Sequence, residues 1–194
     1  MRLSSMGLLL SFTLFAAGIW QLASGLVIYT KAELAQIWIE DAWELSLQSG
    51  KLGHKPWFWA DTWPVAKLDF GASPDAGKIF YVLAGSAGNS LAFGPGHLAA
   101  SVLPGERGSL MIAAHRDTHF RGLDQLELGQ PIRVQSVSGQ WARYRYRDHQ
   151  IWDSRQGPPL LDLEVDQLLL VTCYPFDELV AGGPLRWIGR AVKE

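Results

Sequence analysis

An uncharged run of 22 residues near the N-terminus, Leu8 to Tyr29, constrains this 194-residue chain more than any other feature. At about 1.5 Å of rise per residue, a helix of that length spans about 33 Å, matching a bilayer hydrocarbon core of roughly 30 Å. A cleaved signal peptide is the alternative, because residues 23–25 are small, but its apolar region is typically only about 7 to 15 residues long. We therefore predict a membrane anchor over residues 1–30, formed by one transmembrane helix.

A second helical segment, Lys31 to Leu47, follows the apolar run and has two unlike faces. One set of its apolar residues recurs mainly at three- and four-residue steps, namely Leu34, Ile37, Trp38, Ala42 and Leu45. We expect an amphipathic stalk whose apolar face packs on the domain or lies at the membrane surface. Together with a connector rich in Trp and Pro, the stalk occupies residues 31–62.

From residue 63 onward the chain consists of short apolar runs separated by Gly and Pro. The predicted strands are Val65–Phe70, Lys78–Ala84, Ser109–Ala114, Ile132–Val137, Trp141–Arg147, Leu168–Cys173 and Arg186–Val192. No helical pattern of about 10 to 15 residues separates successive strands, which argues against a parallel βαβ sheet. The pattern predicts an all-β domain over residues 63–194, either a small closed barrel or a sandwich.

The charge balance and the cysteine content of the chain argue against several classes of function. The chain carries 17 basic and 19 acidic residues, a balance that disfavours nucleic-acid binding. Its one cysteine, Cys173, rules out an intrachain disulfide and a cysteine-rich metal site. Because no set of His, Asp and Glu has convincing metal-ligand spacing either, we predict no metal and no cofactor.

The single cysteine ends an apolar run, LLLVTC, and Tyr174-Pro175 terminates the strand after it. On this feature alone, a buried strand cysteine is the simpler interpretation. A thiol at the rigid end of a central strand would also suit a nucleophile.

Two further residues fit a nucleophilic site. His115 ends a second apolar run, SLMIAAH, and a neutral thiol needs such a base or cation nearby to become a thiolate. Arg186 begins the strand after Cys173, so antiparallel pairing of the two strands would bring it beside the thiol, where it could stabilise an oxyanion. Arg190, four residues further on, is the alternative arginine, and His119 could flank the site.

Three short motifs in this order resemble those of the sortases: AAHRDTHF around His115, VTCYPF around Cys173 and PLRW around Arg186. The run GNSLAFGPGHLAASVLPGERGSL is similar as well, and the connector KPWFWADTWPVAKL resembles the sortase class of Gram-negative, largely marine proteobacteria. The resemblance covers about Trp57 to Val192. Where the family usually has Thr-Leu-x-Thr-Cys, this chain begins with Leu169, which we interpret as a packing change.

The resemblance implies a closed β-barrel of about eight strands and a two-step acyl transfer. Cys173 would attack a backbone carbonyl in the C-terminal sorting motif of a surface protein, and His115 would protonate the leaving amine. Arg186 would stabilise the oxyanion and Thr172 would bind the substrate backbone. An amine acceptor at the cell envelope would then resolve the thioacyl enzyme. The expected location is the cell inner membrane, single-pass, with the catalytic domain on the extracytoplasmic, periplasmic side.

Two other functions stay open at this point. A cysteine hydrolase could use the same three groups with water as the acceptor, since acceptor choice depends on groove shape and water exclusion. A non-catalytic, membrane-tethered β-barrel could instead bind a surface protein and keep Cys173 buried.

Overall fold

The computed structural model describes residues 2–71, 79–157, 159, 161, 162, 164–178 and 182–194. The chain divides into two compact units, Met1–Ile37 and Trp38–Glu194. One helix, α1 (Arg2–Ser49), contains both the predicted anchor and the predicted stalk. The helix ends at Ser49, and the next residue, Gly50, has a φ of 65°, which glycine adopts readily. Within Ser11–Ser49 the helix is long and apolar enough to cross a membrane, a test that a signal sequence at this place would also pass.

The last turns of α1 bury a face that overlaps only in part with the predicted apolar face. The buried side chains are Ile39, Ala42, Trp43 and Ser46. Ala42 belongs to the predicted apolar face as well, whereas Ile37, Trp38 and Leu45 are 53%, 43% and 51% exposed, and the Trp38 ring lies 6.1 Å from that of Trp57. The buried set has the same helical spacing but includes Ser46, whose hydroxyl avoids a desolvation cost by donating to the carbonyl of Ala42 at 2.9 Å. That the exposed apolar residues lie at a membrane surface stays a prediction.

The remainder of the second unit forms a closed barrel of eight strands. In chain order they are β1 (Pro64–Asp69), β2 (Ile79–Ala84), β3 (Gly96–His97), β4 (Ser109–Ala113), β5 (Pro131–Gln135), β6 (Trp141–Asp153), β7 (Gln167–Cys173) and β8 (Leu185–Lys193). Around the barrel the order is β1-β2-β3-β4-β7-β8-β6-β5. The β2–β3 and β4–β7 pairs are parallel and the others are antiparallel. A short helix, α2 (Gly88–Leu91), lies between β2 and β3. The predicted closed, eight-stranded barrel is confirmed.

Two strands depart from the predicted pattern. The two-residue strand β3 was not predicted, because it is too short for a period and contains Gly96, where a Cβ atom would collide with the carbonyl oxygen of Gly85. β6 runs to Asp153 rather than Arg147, because its register shifts between Tyr146 and Asp148 and the apolar alternation stops there. Lys78, the predicted start of the second strand, lies outside the described residues.

Side chains of β4, β7 and β8 alternate between the barrel interior and its outer face. Leu110, Ile112, Leu168, Leu170 and Trp187 belong to the interior core. The intervening residues Met111, Leu169 and Ile188 form a separate apolar cluster, which also contacts Leu98, Trp152, Leu161 and Val171. Because alternate strand residues share a face, Cys173 lies on the outer face, two positions beyond Val171.

Two isoleucines of α1 test its buried face. We expect Ile39→Ala to lower the free energy of unfolding by about 2–5 kcal/mol, because Ile39 is 1% exposed and its removal leaves a cavity. Ile37→Ala should change it by no more than about 0.5 kcal/mol, since Ile37 is 53% exposed. Denaturant unfolding of the full-length chain in a neutral detergent measures both. Equal losses from the two substitutions would contradict this assignment of the buried face.

Candidate active site

The β7–β8 pairing places Cys173 directly opposite Arg186. The next pair, Tyr174 and Leu185, is joined by a hydrogen bond from the Tyr174 amide to the Leu185 carbonyl at 3.1 Å. Because hydrogen-bonded and non-hydrogen-bonded pairs alternate in an antiparallel ladder, Cys173 and Arg186 form a non-hydrogen-bonded pair, whose Cα atoms are typically about 4.5 Å apart. Their side chains therefore start from the same face at close range.

The parallel β4–β7 pairing places His115 at the level of Cys173. Ala113 is in register with Val171, and the Ala114 amide donates to the Val171 carbonyl at 3.0 Å. Two further residues along each parallel strand lead to His115 on one side and Cys173 on the other. Neighbouring strands are about 4.8 Å apart, so topology brings the imidazole and the thiol to one edge of the barrel.

Thr172 lies on the opposite face of β7 from the thiol. Its side chain is buried, and its hydroxyl donates to the carbonyl of Ala114 at 2.8 Å. This hydrogen bond ties the residue before His115 to the residue before Cys173. The geometry thus supports a positioning role for Thr172, while its predicted contact with substrate stays a prediction.

The thiol is accessible from the outer surface. Cys173 and Arg186 are half-buried and His115 is exposed. The apolar cluster of Met111, Leu169 and Ile188 lies on the same outer face of the strands that end at the site. Leu169, where the family usually has threonine, is 7% exposed within this cluster, in keeping with a packing change.

The two candidate arginines differ in position and in partners. Nη1 of Arg186 donates to the carbonyls of Gly183 and Leu185 at 2.6 and 2.8 Å, which holds the guanidinium at the start of β8. Among described residues, no carboxylate pairs with it. Arg190 is opposite Leu169 instead of the cysteine, and it forms an ion pair with Asp148. The hydrogen bonds that Arg190 donates to Asp148 lower the pKa of the Asp148 carboxyl below its ordinary value. The register therefore favours Arg186 over Arg190.

Arg116 connects the two halves of the site and was not singled out by the sequence. Its side chain is 5% exposed, and its two Nη atoms donate to the carbonyls of Pro175 and Glu178 in the segment that follows Cys173. The carboxylates of Glu178 and Asp117 lie 3.8 and 3.5 Å from the guanidinium. The residue next to His115 thus clamps the chain just beyond Cys173. An arginine beginning a polar loop gives little sign of such burial in sequence.

His119 is the remaining candidate residue from the sequence, which predicts no metal site. His119 packs its ring against Phe80 of β2, with 6.1 Å between centroids, and its Nδ1 is 3.2 Å from the Thr118 hydroxyl. Within the part of the chain that the structure describes, no group of three or more His, Cys, Asp or Glu side chains could hold a metal ion.

Comparison with known proteins agrees with this geometry. A model of the sortase domain matches residues 73–194, and the chain therefore belongs to the sortase family. Sortase D of Bacillus subtilis (strain 168) is 33% identical over 108 residues, which cover 55% of this chain and 54% of that protein. The chain thus spans about half the length of this curated relative.

Solved structures show the same fold. Sortase A from Corynebacterium diphtheriae superposes with a TM-score of 0.56 at 26% identity, covering 70% of this chain and 63% of that one. A Clostridium perfringens sortase D5 transpeptidase has a TM-score of 0.56 at 23% identity, covering 68% of this chain and 79% of that one. The narrower resemblance to the class of Gram-negative, largely marine proteobacteria is not supported by these matches.

Replacing Arg116 with lysine should impair catalysis by loosening the segment after Cys173. Lysine cannot donate simultaneously to the two carbonyls as a planar fork. We expect kcat/KM to fall by about tenfold to a hundredfold, the range that a misplacement of about 1 Å produces. Arg121→Lys, an exposed arginine of the same loop, is the control and should change it by no more than about twofold.

Two measurements distinguish a positioning role from a loss of global stability in these variants. Thermal unfolding measures the stability, and the pH dependence of Cys173 alkylation by iodoacetamide reports on the surroundings of the thiol. A positioning role predicts an altered alkylation profile in Arg116→Lys at temperatures where the protein stays folded. Indistinguishable profiles and rates in the two variants would refute the clamp.

Proposed function

We propose that the chain is a membrane-anchored cysteine transpeptidase, with Cys173 as nucleophile, His115 as proton-transfer residue and Arg186 as oxyanion stabiliser. The observation that carries the proposal is the position of Cys173 on the outer face of β7, in register with Arg186 and level with His115. A cysteine sealed inside the barrel would have favoured the non-catalytic binding barrel. Family membership supports the same chemistry, because sortases are cysteine transpeptidases.

In the first half-reaction, the Cys173 thiolate attacks a backbone carbonyl of the sorting motif. Negative charge develops on the carbonyl oxygen, and the Arg186 guanidinium donates hydrogen bonds to it. One nitrogen of Arg186 holds its own loop, and its other nitrogens make no hydrogen bond to a described residue, which leaves donors for an oxyanion. The C–N bond then breaks as protonated His115 transfers a proton to the leaving amine, and the acyl group remains on sulfur.

In the second half-reaction, an amine acceptor attacks the thioester carbonyl. Neutral His115 accepts a proton from the attacking nitrogen, a new C–N bond forms, and sulfur departs as the thiolate. A histidine that alternates between the two protonation states serves both steps. Thr172 does not need to touch the substrate in this scheme, because its bond to Ala114 keeps the thiol and imidazole strands aligned.

The outer face of the barrel supports a peptide substrate. We propose that the C-terminal sorting motif of a surface protein lies on the half-buried apolar residues packed over the cluster of Met111, Leu169 and Ile188, which are Leu98, Trp152, Leu161 and Val171. Apolar side chains of an extended peptide would bury surface there at about 25 cal/mol per Å². The proposed location is the cell inner membrane, with α1 as a single-pass anchor and the barrel on the extracytoplasmic, periplasmic side.

A thioacyl adduct is the direct test of this function. Full-length enzyme incubated with the C-terminal peptide of its surface-protein substrate should gain the mass of the acyl fragment at Cys173, as measured by mass spectrometry. Adding an amine should convert the adduct to a ligated product, because the amine competes with water for the thioester. Cys173→Ala should form no adduct. Hydrolysis alone, unchanged by any amine, would favour the cysteine hydrolase.

Two matched arginine substitutions test the oxyanion assignment. We expect Arg186→Ala to lower kcat by about a hundredfold to a thousandfold, the usual effect of removing an oxyanion donor. Arg190→Ala should lower it by less than about tenfold, because its guanidinium is paired with Asp148 and lies opposite Leu169. Single-turnover rates of thioacyl formation measure both. The reverse order of effects would transfer the role to Arg190.

A further inference from the structure

A cavity of about 300 Å³ lies between the two segments that follow the candidate catalytic residues. One wall comes from Tyr174–Asp177, which begins directly after Cys173, and another from Asp124 in the 3₁₀ turn Leu123–Gln125, nine residues after His115. β6 and β8 contribute His149 and Trp187. Its volume lies at the lower end of the range for small-molecule sites, which suits a single amine-bearing group.

The floor of this cavity is aromatic. The Tyr174 and Phe176 rings are 6.4 Å apart, Phe176 is 6.0 Å from Trp187, and His149 stacks on Trp187 at 5.3 Å with an interplanar angle of 22°. Trp187 is 2% exposed, so its position is held by the barrel core. Trp187 also stacks with Tyr146 at 6.3 Å, whereas Tyr174 and Phe176 are half-buried. The rings of Tyr174 and Phe176 therefore offer the aromatic surface that attracts a cation through the negative potential of the ring face.

The rim of the cavity is acidic. Asp124 and Asp177 are both exposed at its mouth. Across the described part of the chain, neither carboxylate has an ion-pair partner, in contrast to Glu178, which lies 3.8 Å from Arg116. Two uncompensated carboxylates above an aromatic floor are complementary to a positively charged ligand.

We propose that this cavity binds the amine acceptor of the acyl transfer, as an ammonium-bearing molecule with a second, reactive amino group. The inference rests on the proposed function, and it assigns the second substrate to the opposite side of the catalytic residues from the apolar outer-face cluster. One ammonium group remains between Asp124 and Asp177, over the aromatic floor. The other amino group, in its neutral form, reaches the thioester on Cys173.

Groups of the site accept both the electron pair and the proton that the reaction releases. The neutral amine forms a C–N bond to the thioester carbonyl, the C–S bond breaks, and the electron pair leaves with the Cys173 sulfur as a thiolate. The proton lost by the nitrogen goes to neutral His115. The ammonium group in the cavity takes no part in bond making and serves to hold the acceptor.

Cadaverine and pentylamine are matched probes for this site. They share a linear five-carbon chain, but only the diamine keeps a positive charge when one amino group is neutral and reactive. We expect Asp124→Asn/Asp177→Asn to raise the KM for cadaverine in aminolysis of the thioacyl enzyme by about tenfold, and that for pentylamine by less than about threefold. Glu127→Gln is the control, because it removes an exposed negative charge three residues from Asp124, and it should change neither KM.

A direct binding measurement tests the acceptor cavity separately from the transpeptidase function. NMR titration of the full-length protein with cadaverine, in neutral detergent and without peptide substrate, measures the site whether or not a thioacyl enzyme forms. Weaker binding in the double variant and unchanged binding in Glu127→Gln would support the cavity. Equal cadaverine binding in all three proteins would overturn it. A missing thioacyl adduct would count against the proposed function alone.

Discussion

The parallel pairing of β4 with β7 is the constraint on which the whole candidate site depends. Parallel strands end at the same edge of a sheet, so two residues remote in sequence, His115 and Cys173, arrive at one level. Antiparallel β8 then returns from that edge and starts with Arg186 opposite the cysteine. The three side chains belong to different segments, yet backbone hydrogen bonds set their spacing. Such a site is as rigid as the barrel itself.

Two buried polar side chains reinforce this geometry. Thr172 donates to the Ala114 carbonyl from inside the barrel, and Arg116 donates to the carbonyls of Pro175 and Glu178 from the loop side. A buried polar group is costly when it lacks a partner, so each is stable only while the strand ends stay in place. These two side chains therefore hold the strand ends at the candidate site, where Cys173 and Arg186 are half-buried and His115 is exposed.

The ends of the strands were predictable from this sequence, whereas the pairing between strands was not. The apolar runs before His115 and Cys173 marked β4 and β7 to within one residue, because a strand core must be apolar. Which strand pairs with which depends on long-range closure, so the residue next to His115 looked like a polar loop residue although it is buried. The buried face of α1 was harder to predict, because two helical stripes compete there and the buried stripe contains Ser46, whose hydroxyl is satisfied by the Ala42 carbonyl.

Strand β3 gives the barrel an uneven construction. It joins β2 through two residue pairs, whereas β8 joins β6 through nine. Leu98, immediately after β3, contacts the apolar cluster on the outer face, while β7 and β8 carry the reactive groups. One part of the proposed peptide-binding surface, Leu98, is thus attached to the barrel by a seam of two residue pairs, whereas Cys173 and Arg186 lie on strands joined by seven. In evolution or in engineering, the segment after β3 can be exchanged to suit new peptides without rebuilding β7 and β8, which carry Cys173 and Arg186.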